Sequence, residues 1–134
     1  MIKSSKYFLR KLKYWIKGRI LINPEISIYK KWYGNIYGGF YLHPEVLNAK
    51  SIVYSVGIGT DTSFDMDLIN SFQCNVFGFD PTPKSIKWVK ENVNESKFIM
   101  SEFGISNSSE KKKFYLPKNQ DHVSGSLILI DTVN

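Results

Sequence analysis

Ile52-Val53-Tyr54-Ser55-Val56-Gly57-Ile58-Gly59-Thr60-Asp61 is the stretch that decides how this chain reads. The near-continuous Ile-Val-Tyr-Ser-Val composition predicts a strand covered on both faces, as in a parallel sheet. The run breaks at Gly57 and Gly59. Residues 63–72 then carry Phe64, Leu68, Ile69 and Phe72 at helical spacing. A second apolar run over residues 75–79 ends at Asp80. Strand, glycine turn, helix, strand and acid, in that order, build a nucleoside-binding edge at the carboxyl ends of an α/β sheet.

Downstream, Pro81-Thr82-Pro83 makes a turn, with Pro83 placed to start a helix that carries Ile86, Val89 and Val93. Trp88 on that helix reads as a packing residue. Residues 97–100 predict a third short strand. Ile105-Ser106 and residues 113–116 flank the turn composition Asn107-Ser108-Ser109-Glu110, which predicts a hairpin. Lys111, Lys112 and Lys113 then read as a solvated strand edge, since lysines discourage edge pairing. Residues 117–126 read as a loop, and residues 127–130 as the start of a further strand.

Upstream, residues 4–17 predict a helix capped by Ser4 or Ser5 and ended by Gly18. Phe8, Leu9, Leu12, Trp15 and Ile16 share one face; Lys6, Arg10, Lys13 and Lys17 share the other. Such a helix either docks its apolar face on the domain or lies on an anionic membrane surface. Between residues 23 and 49, Asn23-Pro24, Gly34-Asn35, Gly38-Gly39 and His43-Pro44 cut the chain into short pieces. Residues 36–42 predict an edge strand or hairpin, and His43 a turn residue. The organisation is a basic helix and connecting segment over residues 1–49, then a Rossmann-like unit over residues 50–134.

Composition narrows the function classes. The 134 residues allow one domain, with a length short for a doubly wound enzyme. Net charge is +6, but the first 31 residues hold nine basic side chains and one acidic, net +8, and the remainder is net −2. That distribution excludes a basic surface spread over the whole domain, so no nucleic-acid partner is expected. No apolar run reaches the ~18 residues of a membrane span, and the N-terminus lacks the pattern of a secretory signal. Cys74, the single cysteine, excludes an intramolecular disulfide and a multi-cysteine metal site, and no metal is expected. It reads as a buried structural thiol and fits a reducing, cytoplasmic compartment.

The glycine turn carries the chemistry. A ligand's polar group must approach the backbone at the end of the first strand, where side chains at positions 57 and 59 would obstruct it. The following helix offers unpaired N–H groups to an anion. Asp80, at the end of the next strand, can accept both hydroxyls of a ribose. The competing structural reading is a tight turn plus an acid that caps the next helix. A dinucleotide fingerprint requires Gly-x-Gly-x-x-Gly, and Thr62 stands at its third position. S-adenosylmethionine has a ribose and a carboxylate but no phosphate, and its sites tolerate a looser turn.

Tyr37-Gly38-Gly39-Phe40, the run from Val53 through Gly57-Ile58-Gly59 to Asp65, and Val76-Phe77-Gly78-Phe79-Asp80-Pro81-Thr82-Pro83 resemble the FkbM-type methyltransferases. Glu102-Phe103-Gly104-Ile105-Ser106 and Asp121-His122-Val123-Ser124 are similar to that family as well, so the likeness covers roughly residues 33–130. The resemblance implies a class I S-adenosylmethionine-dependent fold and transfer of a methyl group to an oxygen of a sugar or metabolite. It implies that Gly57, Ile58 and Gly59 line the methionine portion of the cofactor and that Asp80 holds the ribose. Class I enzymes place an acid where Ser55 stands and a glycine where Asp61 stands; Asp61 is the acid available to take over. The family continues into a Lys-x-Asp-x-Glu-Gly-like segment that nothing here matches, so the expectation is a truncated form lacking most of the acceptor site. No base carries over, and His122 reads as a loop histidine. The expected acceptor is a small molecule or saccharide. Peripheral membrane contact through residues 1–22 and a homo-oligomer formed through an open sheet edge are further expectations. The alternative is an inactive remnant or a membrane-surface binding module.

Overall fold

The computed structural model describes residues 3–19, 26–117 and 125–127. The chain is mixed α/β, built on a three-stranded parallel sheet with a small antiparallel ribbon beside it. Its elements are α1 (Lys3–Ile16), β1 (Lys31–Tyr33), β2 (Phe40–Leu42), β3 (Ile52–Val56), α2 (Ser63–Phe72), β4 (Asn75–Phe79), α3 (Pro83–Asn92) and β5 (Phe98–Ser101).

The sheet runs in the order β3-β4-β5, every pair parallel, with Val56 opposite Phe79 and Phe79 opposite Ser101. Each crossover is a helix of ten residues. Alternation along the strands sends Val53, Val76, Phe98 and Met100 toward Leu68 and Ile69 of α2 and Val89 of α3, with Trp88 packed against this core. Leu68, Ile69 and Val76 are almost fully buried, and each such side chain contributes about 1.5–3 kcal/mol of burial. Cys74 is buried there too, and burial pushes its thiol pKa up, as a structural cysteine requires. Helix α2 ends at Gln73, which turns left-handed at φ 58°; its carbonyl and side-chain oxygens both accept from Lys97 at 2.9 Å.

The opposite face of the sheet corrects one expectation. Ile52, Tyr54 and Val56 are 59–66% exposed, so β3 is covered on one face rather than two. Tyr54 packs with its ring tilted against those of Phe77 and Phe79 on that open face, at ring distances of 6.0 and 5.8 Å. The composition records a strand suited to two-sided cover; among the described residues α2 and α3 cover only one side.

Of the edge strand or hairpin expected over residues 36–42, only Phe40–Leu42 is strand; residues 36–38 form the turn, and the partner strand is β1, before the expected range. Tyr33 pairs with Phe40 in register and is itself buried, its ring 5.4 Å from that of Phe72. His43 begins a short 3-10 turn, Pro44–Val46, and its Nδ1 accepts from the Glu45 N–H.

The predicted hairpin over residues 105–116 does not form. No strand lies there among the described residues; instead Tyr115 bridges to Ser126 through paired backbone hydrogen bonds of 2.8 and 2.9 Å. The three lysines are exposed, as a polar run in water is, without being a strand edge. Residues 128–130 and His122 lie outside the described residues.

Candidate functional site

At the carboxyl end of β3 the chain turns through Gly57 and Gly59, both with positive φ, 78° and 63°. Gly57 is pinned at that point because its N–H donates to the Phe79 carbonyl at 2.9 Å. A Cβ added at Gly57 would meet no heavy atom within 4 Å, so the backbone there faces open space.

Asp80 closes the turn from the next strand. It is 4% exposed, and its carboxylate accepts three hydrogen bonds. Oδ2 takes the Gly59 N–H at 2.9 Å. Oδ1 takes the Thr82 N–H at 2.8 Å and the Thr82 hydroxyl at 2.6 Å. The sequence separated two roles for this acid, helix-capping residue and ligand acceptor. The geometry commits it to the turn: Asp80 staples Gly59 to Thr82, the residue that precedes α3. A carboxylate offers about four acceptor positions, so one remains, on Oδ2.

Gly57, Gly59 and Asp80 line a shallow cavity of about 220 Å³ together with Pro81, Thr82, Phe114 and Gly125. Complete small-molecule sites span about 300–1,000 Å³, so this cavity is sized for part of a ligand. Phe114 and Gly125 come from the segment that the Tyr115–Ser126 bridge draws in, and the Phe114 ring lies against Gly125 with no room for a Cβ between them. Neither was singled out from sequence. Both sit in a region read as hairpin and loop, and only the bridge between distant residues reveals the juxtaposition.

The two other expected site residues lie apart from the cavity. Ile58 is buried, its side chain in the core between α2 and the sheet. Asp61 accepts the Ser63 N–H at 2.8 Å, capping α2, and the Asn35 side-chain amide at 2.7 Å. Burial raises its pKa, but hydrogen bonds from the Ser63 N–H and hydroxyl and from Asn35 outweigh that, and the carboxyl sits below its ordinary value. Asn35 also receives the Tyr37 and Gly38 N–H groups on its Oδ1, and its own N–H donates to the Ser63 hydroxyl. Asp61 thus ties the β1–β2 loop to the start of α2.

The acid whose charge the Ser55 hydroxyl favours is Asp65, in the first turn of α2. Asp65 is 3% exposed and its Oδ1 has no hydrogen-bond partner. Burial pushes its pKa up, with the Ser55 hydroxyl pulling the other way and the Asp61 charge adding to the rise. Its signal in the sequence is an acid three residues into a helix, which normally reads as a helix-start preference alone.

Asp80 is therefore the carboxyl group at the glycine turn, and among the described residues no lysine or arginine lines the cavity. The first N–H of α2 is already taken by Asp61. A pyrophosphate would meet negative charge here instead of open N–H groups, which helix-terminus anion sites require. Comparison of the chain with protein-family models, curated proteins and solved structures finds no match, so the site rests on its own geometry.

Proposed function

We propose that this chain carries the donor half of an S-adenosylmethionine-dependent methyltransferase site of the FkbM type, acting on a hydroxyl of a sugar or other small metabolite. The observation that carries the reading is the joining of Gly57, Gly59 and Asp80 around one cavity in which Asp80 is the charged side chain among the described lining residues. A nucleoside with a sulfonium and an ammonium group suits that field; a dinucleotide does not. Thr62, buried at the start of α2 where a dinucleotide site needs glycine, supports the same choice. In this reading the Gly57–Gly59 backbone accommodates the methionine portion and Asp80 Oδ2 accepts a ribose hydroxyl. Phe114 gives an apolar wall.

Methyl transfer asks mainly for in-line placement of an oxygen nucleophile against the sulfonium carbon. No described residue is assigned as the base. Isothermal titration of the full chain with S-adenosylmethionine, and with NAD as comparison, tests the proposal. Saturable binding of the methyl donor alone is the expected result. Preference for NAD, or no binding of either, would overturn it.

A further inference from the structure

We propose that α1, together with the exposed aromatic groups of the β1–β2 ribbon, seats this chain on an anionic phospholipid membrane. The proposal is independent of the methyl-donor reading. The helix has two ways to treat its apolar stripe, docking it on the domain or leaving it for a surface. The structure leaves it bare: Phe8, Leu9, Leu12, Trp15 and Ile16 are 43–77% exposed. Lys11, Lys13 and Lys17 beside them are exposed as well. The helix has 14 residues, about 21 Å at 1.5 Å per residue, against about 30 Å of hydrocarbon. No described helix is long and apolar enough to cross a membrane. A stripe this short lies along the interface.

The ribbon exposes the same chemistry by a different route. Its alternation buries Tyr33 and turns Trp32 and Tyr41, which pair directly in register, to the outside. Their rings meet edge to face at 4.9 Å. The loop tip holds out Ile36 and Tyr37, the latter 94% exposed. Lys30 sits over the Tyr41 ring at 4.7 Å. Tryptophan and tyrosine, each an apolar body with a polar end, prefer the headgroup level of a bilayer.

Charge selects the occupant. The first 31 residues are net +8 and the rest of the chain net −2, so the positive charge lies on the helix that carries the bare stripe and, through Lys30 and Lys31, on the edge of the ribbon. A second copy docking stripe to stripe would bring the two +8 segments together. An anionic bilayer neutralises them and takes up the apolar groups in the same step.

The experiment is co-sedimentation of the full chain with vesicles of phosphatidylcholine alone and with about 30% phosphatidylserine. The expected result is at least tenfold stronger partitioning onto the anionic vesicles, falling as salt rises from about 0.05 to about 0.5 M. Each lysine near an anionic surface contributes about fivefold. Changing Lys11, Lys13 and Lys17 together to Gln then weakens binding by roughly 100-fold. Leu12→Gln with Trp15→Gln weakens it at least tenfold on its own. All five positions are exposed, so the unfolding midpoint should not move, and S-adenosylmethionine titration should be the same in variant and parent. Equal partitioning onto neutral and anionic vesicles would overturn the proposal. So would indifference to the Leu12 and Trp15 changes, or a stable dimer in sedimentation velocity that binds no vesicle.

Discussion

Asp80→Asn separates the two roles this carboxylate is asked to fill. Asn offers one acceptor oxygen where Asp offers two. If its oxygen keeps the Thr82 N–H and hydroxyl, its NH2 group faces the Gly59 N–H, donor against donor. If it flips to accept from Gly59, the Thr82 hydroxyl can rotate to accept, but the Thr82 N–H is left without a partner. Either way one backbone N–H that now bonds a carboxylate at 2.8 or 2.9 Å goes unpaired. Hydrogen bonds to charged groups contribute about 1.5–3 kcal/mol, so unfolding in urea should show a loss of that size, about 6–12 °C in melting temperature for a chain of this length. The binding arm is titration with S-adenosylmethionine well below the melting temperature. Loss of the remaining Oδ2 acceptor position weakens affinity by about 10- to 100-fold, at 1.4 kcal/mol per tenfold. Asp80→Ala, with three donors stranded beside a cavity that water can enter, should cost about 2–4 kcal/mol. Undiminished affinity in a folded Asp80→Asn protein would sink the ribose assignment. An unchanged melting temperature would sink the account of Asp80 as the staple of the turn.

Gly57→Ala places a methyl group in open space at φ 78°, so stability should fall by only about 1–2 kcal/mol while S-adenosylmethionine affinity drops tenfold or more; equal affinity would show that no ligand approaches this backbone. Gly34→Ala is the contrasting case. A Cβ there would meet the Gly39 and Phe64 Cα atoms at 2.8 and 2.9 Å with φ at 84°, so urea denaturation should show a loss of about 2–4 kcal/mol, and a loss below 1 kcal/mol would contradict the close approach. Asp65→Asn should stabilise the protein at neutral pH. Burial raises the folded pKa of Asp65 above its unfolded value, so its contribution is present in acid and is lost as pH rises through the folded pKa. The variant and parent midpoints should converge near pH ~3 and separate toward pH ~7; a difference that does not vary with pH would refute the buried-carboxyl argument.

What the sequence made legible was whatever depends on local pattern. Leu68 and Ile69, at helical spacing, do face the core; the apolar runs 52–56 and 75–79 do pair as parallel strands; Pro83 does open a helix. Features that depend on distant partners were not legible. Nothing local in Lys31-Trp32-Tyr33 marks it as the strand opposite Phe40, because three residues are too few to show a period. Turn-forming residues at 107–110 suggested a hairpin, yet Tyr115 found its partner at Ser126, past a connection whose composition carries no pairing signal. The site shows the same division. Gly57, Gly59 and Asp80 came from strand-turn-strand grammar. Phe114 and Gly125 came only from three-dimensional proximity.

The two acids that follow the glycine turn have the widest consequence. With Ser55 at the strand position where the resembling family carries a carboxylate, Asp61 was the nearest acid in sequence, but it caps α2 and holds Asn35, and a side chain committed to both cannot also reach the cavity. Asp65, one helical turn further on, comes back under the strand end because helix α2 folds over the sheet, and it reaches the Ser55 hydroxyl from there. Burial disfavours the charged form of that carboxyl. A methyl donor whose positive groups settle close to it would favour the charged form and offset part of that cost. The gap in melting temperature between Asp65→Asn and the parent at neutral pH should therefore narrow when S-adenosylmethionine is bound, and a gap that the methyl donor leaves unchanged would detach Asp65 from the site.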